Sequence, residues 1–160
     1  MQPISSLICW QRSFSDTKNK QKYNKIKNLY LKGVIKMAKF YICEKCGNII
    51  EKHENSGVSV VCCGQRMSEL VPGSVEASHE KHIPVVEVNE GVVSVNVGSV
   101  IHPMGDAHHI GWIYLETDKG SQKKVLDPNG EPIATFILSD ERPIAVYAWC
   151  NLHGLWKAEI

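Results

Sequence analysis

The fold is decided by a stretch of strict alternation, VVSVNVGSV at residues 92–100, in which Val93, Val95 and Val97 are separated by Ser94 and Asn96. Successive side chains of a β-strand point to opposite faces, so this pattern predicts a strand with one buried face. Similar apolar runs, separated by turn signals, are HIPVVEV at 82–88, IGWIYLE at 110–116, ATFIL at 134–138 and IAVYAW at 144–149. Short strands at this spacing, with no amphipathic helix between them, predict an antiparallel β-sandwich of the immunoglobulin-like kind.

The composition is that of a soluble globular chain. Of the 160 residues, 43% are hydrophobic and 22% are charged, which is too apolar for a protein that is disordered throughout. No apolar run approaches the roughly 18 residues that a membrane-spanning helix needs. We therefore expect one soluble domain, or one domain with a small appendage, and no membrane partner.

Charge divides the chain at Met37. Residues 1–36 carry eight Lys and Arg against one acid, a net charge of +7, and residues 37–160 carry ten against sixteen, a net charge of −6. This break favours the hypothesis that Met37 is the true start and that residues 1–36 are upstream sequence read as protein; the alternative is a genuine basic extension that is disordered. The acidity of residues 37–160 argues against a nucleic-acid partner.

Residues 37–71 are rich in cysteine and poor in core residues. A unit of this size cannot bury enough apolar surface to fold unaided, so a bound metal is expected to stabilise it. Cys43 and Cys46 share one tight loop, and Cys62 and Cys63 are adjacent, which gives four thiolates for a tetrahedral zinc or iron site. Two disulfides are the alternative, but the sequence shows no secretory signal pattern, so a reducing cytoplasm and a bound metal are favoured.

Residues 72–160 contain a second group of metal donors. Each lies at the end of a predicted strand or in the loop beside it, where a sandwich can gather residues that are distant in sequence. The donors are His82, His102, His108, Cys150 and His153. Four imidazoles and one thiolate exceed a closed tetrahedral zinc site by one ligand, and they suit an iron centre with an open sixth position. Lys81 would place positive charge at the mouth of this site and attract an anion.

Three other histidines match no ligand spacing. They are His53, His79 and His109. We predict that all three lie at the surface.

Six features occur in order along residues 38–160 and together resemble one known family. They are CEKCGNII at 43–50, the cysteine pair at 62–63, EKHIPV at 80–85, GSVIHPM at 98–104, His108, and WCNLHGLW at 149–156. On these motifs the chain resembles desulfoferrodoxin, the two-centre form of superoxide reductase. None of residues 1–36 takes part in the resemblance.

The resemblance implies an all-β protein with a desulforedoxin-like domain at 37–71 and a catalytic sandwich at 72–160. It implies two iron ions per chain. The first would be a rubredoxin-like centre on the four cysteines at 43, 46, 62 and 63. The second would have the four histidines as equatorial ligands and Cys150 as axial thiolate. Lys81 resembles the family's superoxide-attracting lysine, and Glu80 resembles the glutamate that occupies the sixth position in the oxidised enzyme.

The implied activity is the one-electron reduction of superoxide to hydrogen peroxide. An external donor such as rubredoxin would return the electron, and the enzyme is expected to be a cytoplasmic homodimer. A non-catalytic electron carrier with two iron centres is an alternative. A zinc-ribbon binding module is another, but it leaves the second group of donors unexplained.

Overall fold

The structure, a computed structural model, describes residues 37–160, so the hypothesis about residues 1–36 lies outside the described residues. The first part is built from five short strands: β1 (Phe40–Ile42), β2 (Ile49–Glu51), β3 (Val61–Cys62), β4 (Gln65–Arg66) and β5 (Ser68–Glu69). They form two antiparallel sheets, ordered β2-β1-β5 and β3-β4.

The second part contains α1 (His79–His82), β6 (Pro84–Asn89), β7 (Val92–Val97), β8 (Ile110–Thr117), β9 (Ser121–Val125), β10 (Ile133–Ile137), β11 (Pro143–Cys150) and β12 (Gly154–Glu159). Its strands form an antiparallel sandwich of a three-stranded sheet, β10-β7-β6, and a four-stranded sheet, β12-β11-β8-β9. The prediction of an all-β sandwich is confirmed. No helix in residues 37–160 is long and apolar enough to cross a membrane.

The core of the sandwich follows from the alternation in β7. Val93, Val95 and Val97 are at most 1% exposed, whereas Ser94 between them is exposed. The three valines pack in one cluster with residues of the opposite sheet, Ile113, Leu115, Val146 and Ala148. Full burial of a valine side chain stabilises a fold by about 1.5–3 kcal/mol, so this face holds the two sheets together.

Three elements differ from the predicted strands. The run at 82–88 begins with the end of the one-turn helix α1, so His82 is helical and the strand starts at Pro84. Strand β9 was not predicted because its sequence, SQKKV, is polar and mostly exposed at a sheet edge. Strand β12 was not predicted because Leu155 and Trp156 are both buried, which breaks the alternation.

The cysteine-rich part, residues 37–71, packs on the face of the four-stranded sheet that points away from the three-stranded sheet. The ring of Phe40 lies 5.1 Å from those of Trp112 and Tyr114 and 5.7 Å from that of Tyr147, centroid to centroid. Phe40 is 4% exposed. Residues 37–160 thus form one compact unit, in which β1 is attached to the sandwich through an aromatic cluster.

A buried carboxylate lies beside this cluster. Glu116 is 5% exposed, and it accepts hydrogen bonds from the N–H of Ala38 (2.9 Å) and from the hydroxyl of Tyr147 (3.0 Å). Burial raises its pKa above the ordinary value of 4.5, although both hydrogen bonds oppose the shift.

We expect the change Glu116→Gln to remove one contribution to the pH dependence of the free energy of unfolding. Because the pKa of Glu116 is higher in the folded state, its carboxyl group loses its proton at a lower pH in the unfolded chain, where the ordinary value is 4.5. The free energy of unfolding should therefore fall between pH 4.5 and the folded pKa, with a slope of at most about 1.4 kcal/mol per pH unit. Denaturant titrations across this range should show a flatter profile for Glu116→Gln. The exposed Glu87 offers the control Glu87→Gln, and equal slopes in both variants would contradict the assignment.

Candidate metal centres

Four cysteine sulfurs lie within 4.8 Å of one another, and we call this group the four-cysteine centre. Cys43 follows β1 and begins a tight loop, in which its N–H donates to the carbonyl of Asn48 (2.9 Å) and the N–H of Gly47 donates to the carbonyl of Cys43 (2.8 Å). Gly47 has a φ of +73°, which glycine adopts freely, and this lets the loop turn back. The β3–β4 hairpin supplies Cys62 and Cys63. Two short loops therefore bring the four sulfurs together.

The sulfur spacing fits a metal site and excludes disulfides. The Sγ atoms of Cys46 and Cys62 are 3.6 Å apart, and those of Cys62 and Cys63 are 3.9 Å apart. A disulfide needs about 2.05 Å, whereas a tetrahedral metal with bonds of about 2.3 Å to sulfur separates its ligands by about 3.8 Å. All four are free cysteines, so the two-disulfide alternative is wrong. The group can hold a tetrahedral zinc or iron ion.

The protonation of these thiols also points to a cation. A hydrogen bond from the backbone of Cys46 lowers the pKa of Cys43 to about 7. The pKa of Cys63 is raised to about 12, chiefly by the side chain of Cys46. Four such neighbours ionise together only when a cation lies among them. Cys43 is buried whereas Cys46 and Cys63 are exposed, so one edge of the four-cysteine centre faces solvent.

The second group gathers four imidazoles and a thiolate from four places in the sandwich. Its five ligand atoms lie within 4.8 Å of one another. His82 ends α1, His102 and His108 lie between β7 and β8, Cys150 ends β11, and His153 lies in the turn to β12. The Nε2 atom of His82 is 3.2 Å from Nε2 of His102 and 3.0 Å from Nδ1 of His153. The Sγ atom of Cys150 is 3.5 Å from Nδ1 of His153. We call these residues the His4Cys centre.

The four imidazole rings form a square. In the order His82, His102, His108, His153 and back to His82, neighbouring ring centroids are 4.7, 4.6, 4.9 and 4.7 Å apart. Across the diagonal, the centroids of His82 and His108 are 6.3 Å apart. A tetrahedron would make all these separations equal, so the rings suit four nitrogens in one plane better than a tetrahedral zinc site.

The hydrogen bonds of the rings leave nitrogen lone pairs that a cation between them would satisfy. His82 donates from Nδ1 to the carbonyl of Ser78 (2.7 Å), and His102 donates from Nδ1 to the carbonyl of Pro103 (2.6 Å). A carbonyl only accepts, so both rings present a lone pair on Nε2, and these two atoms are 3.2 Å apart. The buried Nε2 of His108 has no hydrogen-bond partner. A metal ion among these nitrogens satisfies all three, so the residues fit the iron that the resemblance implies.

Burial favours the neutral form of three of the imidazoles, which is the form that binds a metal. It lowers the pKa of His82 and of His108, and it lowers that of His102 to about 4. Burial raises the pKa of Cys150, which hydrogen bonds from the backbone of Leu152 and His153 partly oppose. The thiolate of Cys150 therefore needs a compensating positive charge beside it.

Two charged residues precede the ligand His82 in α1. Glu80 and Lys81 are both exposed. The hydroxyl of Ser78 donates to Glu80 Oε1, and this bond is the main reason that the pKa of Glu80 is lowered.

The three histidines predicted at the surface differ in their surroundings. His53 and His79 are exposed, as predicted. His109 is only partly exposed, and its Nδ1 donates to the carbonyl of Gly105 (3.0 Å). His109 lies outside the His4Cys centre, whereas its neighbour His108 belongs to it.

Comparisons with known proteins agree with this geometry. The pattern of the family described as Desulfoferrodoxin matches residues 74–159, and that of Desulfoferrodoxin, N-terminal domain, matches residues 36–70. The chain belongs to the desulfoferrodoxin family. It is 44% identical over 119 residues to desulfoferrodoxin of Nitratidesulfovibrio vulgaris, which covers 74% of this chain and 94% of the relative.

Proteins named superoxide reductase are also similar to this member of the desulfoferrodoxin family. The one from Pyrococcus horikoshii is 39% identical over 99 residues, covering 51% of this chain and 86% of that protein. The crystal structure of the superoxide reductase from Treponema pallidum matches with a TM-score of 0.67 and 39% identity. That match covers 78% of this chain and all, 100%, of the other.

The loop after β7 holds the backbone of α1 in place. The N–H of Gly98 donates to the carbonyl of Ile83 (3.1 Å), and the N–H of Val100 donates to the carbonyl of Glu80 (3.0 Å). Gly98 has a φ of +88°, and a Cβ at this position would lie 2.7 Å from the carbonyl oxygen of Lys81 and 2.9 Å from that of Glu80. Only glycine fits this approach, which fixes the helix that ends at the ligand His82.

We expect Gly98→Ala to weaken the His4Cys centre of this desulfoferrodoxin-family chain. The methyl group would push α1 away, and the positive φ adds strain of about 1–3 kcal/mol. Iron content after purification and the denaturation midpoint should both fall. Gly120→Ala is the matched control, because Gly120 has open space around its Cα. Equal iron content in the two variants would contradict this role.

Sequence reasoning assigned no role to Trp156. Its ring stacks on that of His82, with centroids 4.8 Å apart and an interplanar angle of 24°. Its Nε1 donates to the carbonyl of His153 (3.0 Å), so one side chain contacts two ligand positions. The signal was a large apolar residue directly after a ligand loop, within WCNLHGLW.

Proposed function

We propose that this protein is a superoxide reductase, which converts superoxide, one electron and two protons into hydrogen peroxide. The observation that carries the proposal is the square of four imidazoles with a buried cysteine beside it, in a chain of the desulfoferrodoxin family. Iron bound at the His4Cys centre would supply the electron by cycling between its ferrous and ferric states. His82, His102, His108, His153 and Cys150 would hold this iron.

The residues of the chain prepare this centre for an anionic substrate. The ring orientations of His82 and His102 are fixed by backbone carbonyls, and burial favours the neutral form of both rings. Lys81 is exposed next to the ligand His82, so its ammonium group attracts superoxide from solvent and can supply a proton. Glu80 would be a further ligand for this iron in its oxidised form, and the hydrogen bond from Ser78, which lowers the pKa of Glu80, favours the anionic carboxylate that this role needs.

We expect Lys81→Ala to slow superoxide capture mainly at low salt. Its charge acts on an approaching anion, and salt screens such attraction over about 10 Å at 0.1 M. The second-order rate of the variant should be lower than that of wild type at low ionic strength and should depend less on salt. Lys45→Ala is the matched control, because Lys45 is exposed beside the four-cysteine centre. A decrease in this rate that is the same at every salt concentration would mean that Lys81 acts only in proton delivery.

The four-cysteine centre is proposed to hold a second iron and to serve as an auxiliary electron site. Its exposed edge at Cys46 and Cys63 supports exchange of electrons with an external donor such as rubredoxin. A reducing cytoplasm is proposed as the location, because it would keep the cysteines that bind metal from pairing as disulfides. The homodimer, and the domain limits 37–71 and 72–160, are proposals that rest on the family resemblance.

Steady-state turnover tests the function. With a reductant and a continuous source of superoxide, the reductase consumes superoxide catalytically and oxidises the reductant in proportion. A two-centre electron carrier would not react with superoxide at a useful rate and would not accelerate its removal. Metal analysis on the same sample should find two iron ions per chain, and zinc in place of iron at the His4Cys centre would contradict the proposal.

A further inference from the structure

His108 differs from the other ligands in what holds its ring. The rings of His82 and His102 donate from Nδ1 to backbone carbonyls. Among the described residues, none forms a hydrogen bond with the ring of His108, and its Nε2 is buried and unpartnered. The position of this ring therefore depends on the backbone on either side of it.

The side chain of Asn151 binds that backbone on both sides. Its Oδ1 accepts from the N–H of His109 (2.9 Å), and its Nδ2 donates to the carbonyl of Ala107 (3.1 Å). The backbone N–H of Asn151 also donates to the carbonyl of His109 (3.2 Å). Three hydrogen bonds thus join the two residues that flank His108 to a residue 42 to 44 positions later in the chain.

Only a short side-chain amide provides this pair of contacts. One bond needs an acceptor and the other needs a donor, and a carboxylate offers acceptors alone. Asn151 itself lies between the ligand positions Cys150 and His153. Its amide therefore connects the loop that carries one equatorial ligand to the loop that carries the thiolate and another imidazole.

We propose that Asn151 is a positioning residue that places Nε2 of His108 in the His4Cys centre. The proposal rests on the iron site of the proposed function and is independent of the superoxide chemistry. Ligand-orienting partners of this kind change metal affinity by about 10–100-fold when they are removed. Asn151→Ala should therefore weaken iron binding at this centre by about that factor.

The test is a chelator competition on the iron-loaded full chain. Iron at the His4Cys centre is followed by the absorption of that centre, and the four-cysteine centre in the same molecule reports whether the fold is intact. Asn151→Ala should lose His4Cys iron at a chelator concentration lower by about 10–100-fold while the absorption of the four-cysteine centre is unchanged. The control Asn129→Ala, in the exposed turn at 127–130, should behave as wild type.

A double-mutant comparison separates positioning from general stabilisation. If Asn151 acts through His108, then Asn151→Ala should cause little further loss in a His108→Ala background. Should Asn151→Ala fail to fold, Asn151→Asp keeps the acceptor for the N–H of His109 and removes the donor to Ala107. The same loss and the same coupling are expected from it.

Wild-type affinity in the soluble variant, or an equal loss in both backgrounds, would overturn the proposal. A wild-type protein that binds no iron at the His4Cys centre would overturn the proposed function as well. The two failures are therefore distinguishable.

Discussion

Replacing Cys150 by serine should abolish superoxide reduction while leaving the four-cysteine centre intact. Cys150 is fully buried, at 0% exposure, and it is the one sulfur donor in the His4Cys centre. A serine hydroxyl stays protonated at neutral pH, so the substitution replaces a soft anion with a hard neutral donor. Because a ligand itself is changed, we expect the rate to fall by more than the about 100-fold that outer partners cause.

The measurement is the second-order rate of superoxide consumption, normalised to the iron bound at the His4Cys centre. The absorption of the variant's four-cysteine centre is the internal reference for folding. An iron-loaded Cys150→Ser protein with undiminished activity would contradict the proposed role of the thiolate.

Replacing Cys46 by serine should have the opposite effect: the four-cysteine centre is lost and superoxide reduction is retained. It removes one of four sulfurs that lie within 4.8 Å of one another, so the absorption of the four-cysteine centre should disappear. The His4Cys centre has no residue in residues 37–71, and most of the superoxide consumption should remain. The sandwich has its own core, whereas the small sheets around β1 and β3 depend on metal for stability.

Limited proteolysis and visible spectra test this second prediction. In Cys46→Ser, cleavage within residues 37–71 should become faster while the sandwich stays resistant. Cys150→Ser serves as the matched control, since its four-cysteine centre is unchanged and cleavage within residues 37–71 should be as slow as in wild type. If Cys46→Ser removed activity with the His4Cys iron still bound, the auxiliary role of the four-cysteine centre would be wrong.

The alternation of apolar and polar residues predicted a strand correctly where only one face of that strand is buried. The alternation at Val93, Val95 and Val97 predicted β7, because each valine faces the same core. The pattern failed where that condition does not hold. Strand β9 is polar at a sheet edge, and Leu155 and Trp156 in β12 are buried on both faces because the cysteine-rich part covers the outer one.

The metal donors could be named from sequence, but their supports could not. Cys-x2-Cys and the histidine motifs restrict the choice because few residue types bind metal. The carbonyls of Ser78 and Pro103 accept hydrogen bonds through backbone atoms that every residue carries, so no sequence pattern marks them. The contacts of Asn151 depend on how the loop before β8 lies against the end of β11, which only the folded chain shows.

This protein is expected to reduce superoxide without dismutating it. The most direct test mixes the reduced, iron-loaded protein with superoxide and measures hydrogen peroxide and oxygen in the same reaction. We expect one molecule of peroxide for each superoxide consumed, with the electron taken from the protein and no oxygen evolved. One peroxide for every two superoxide molecules, together with evolved oxygen, would show dismutation and would contradict the proposed function.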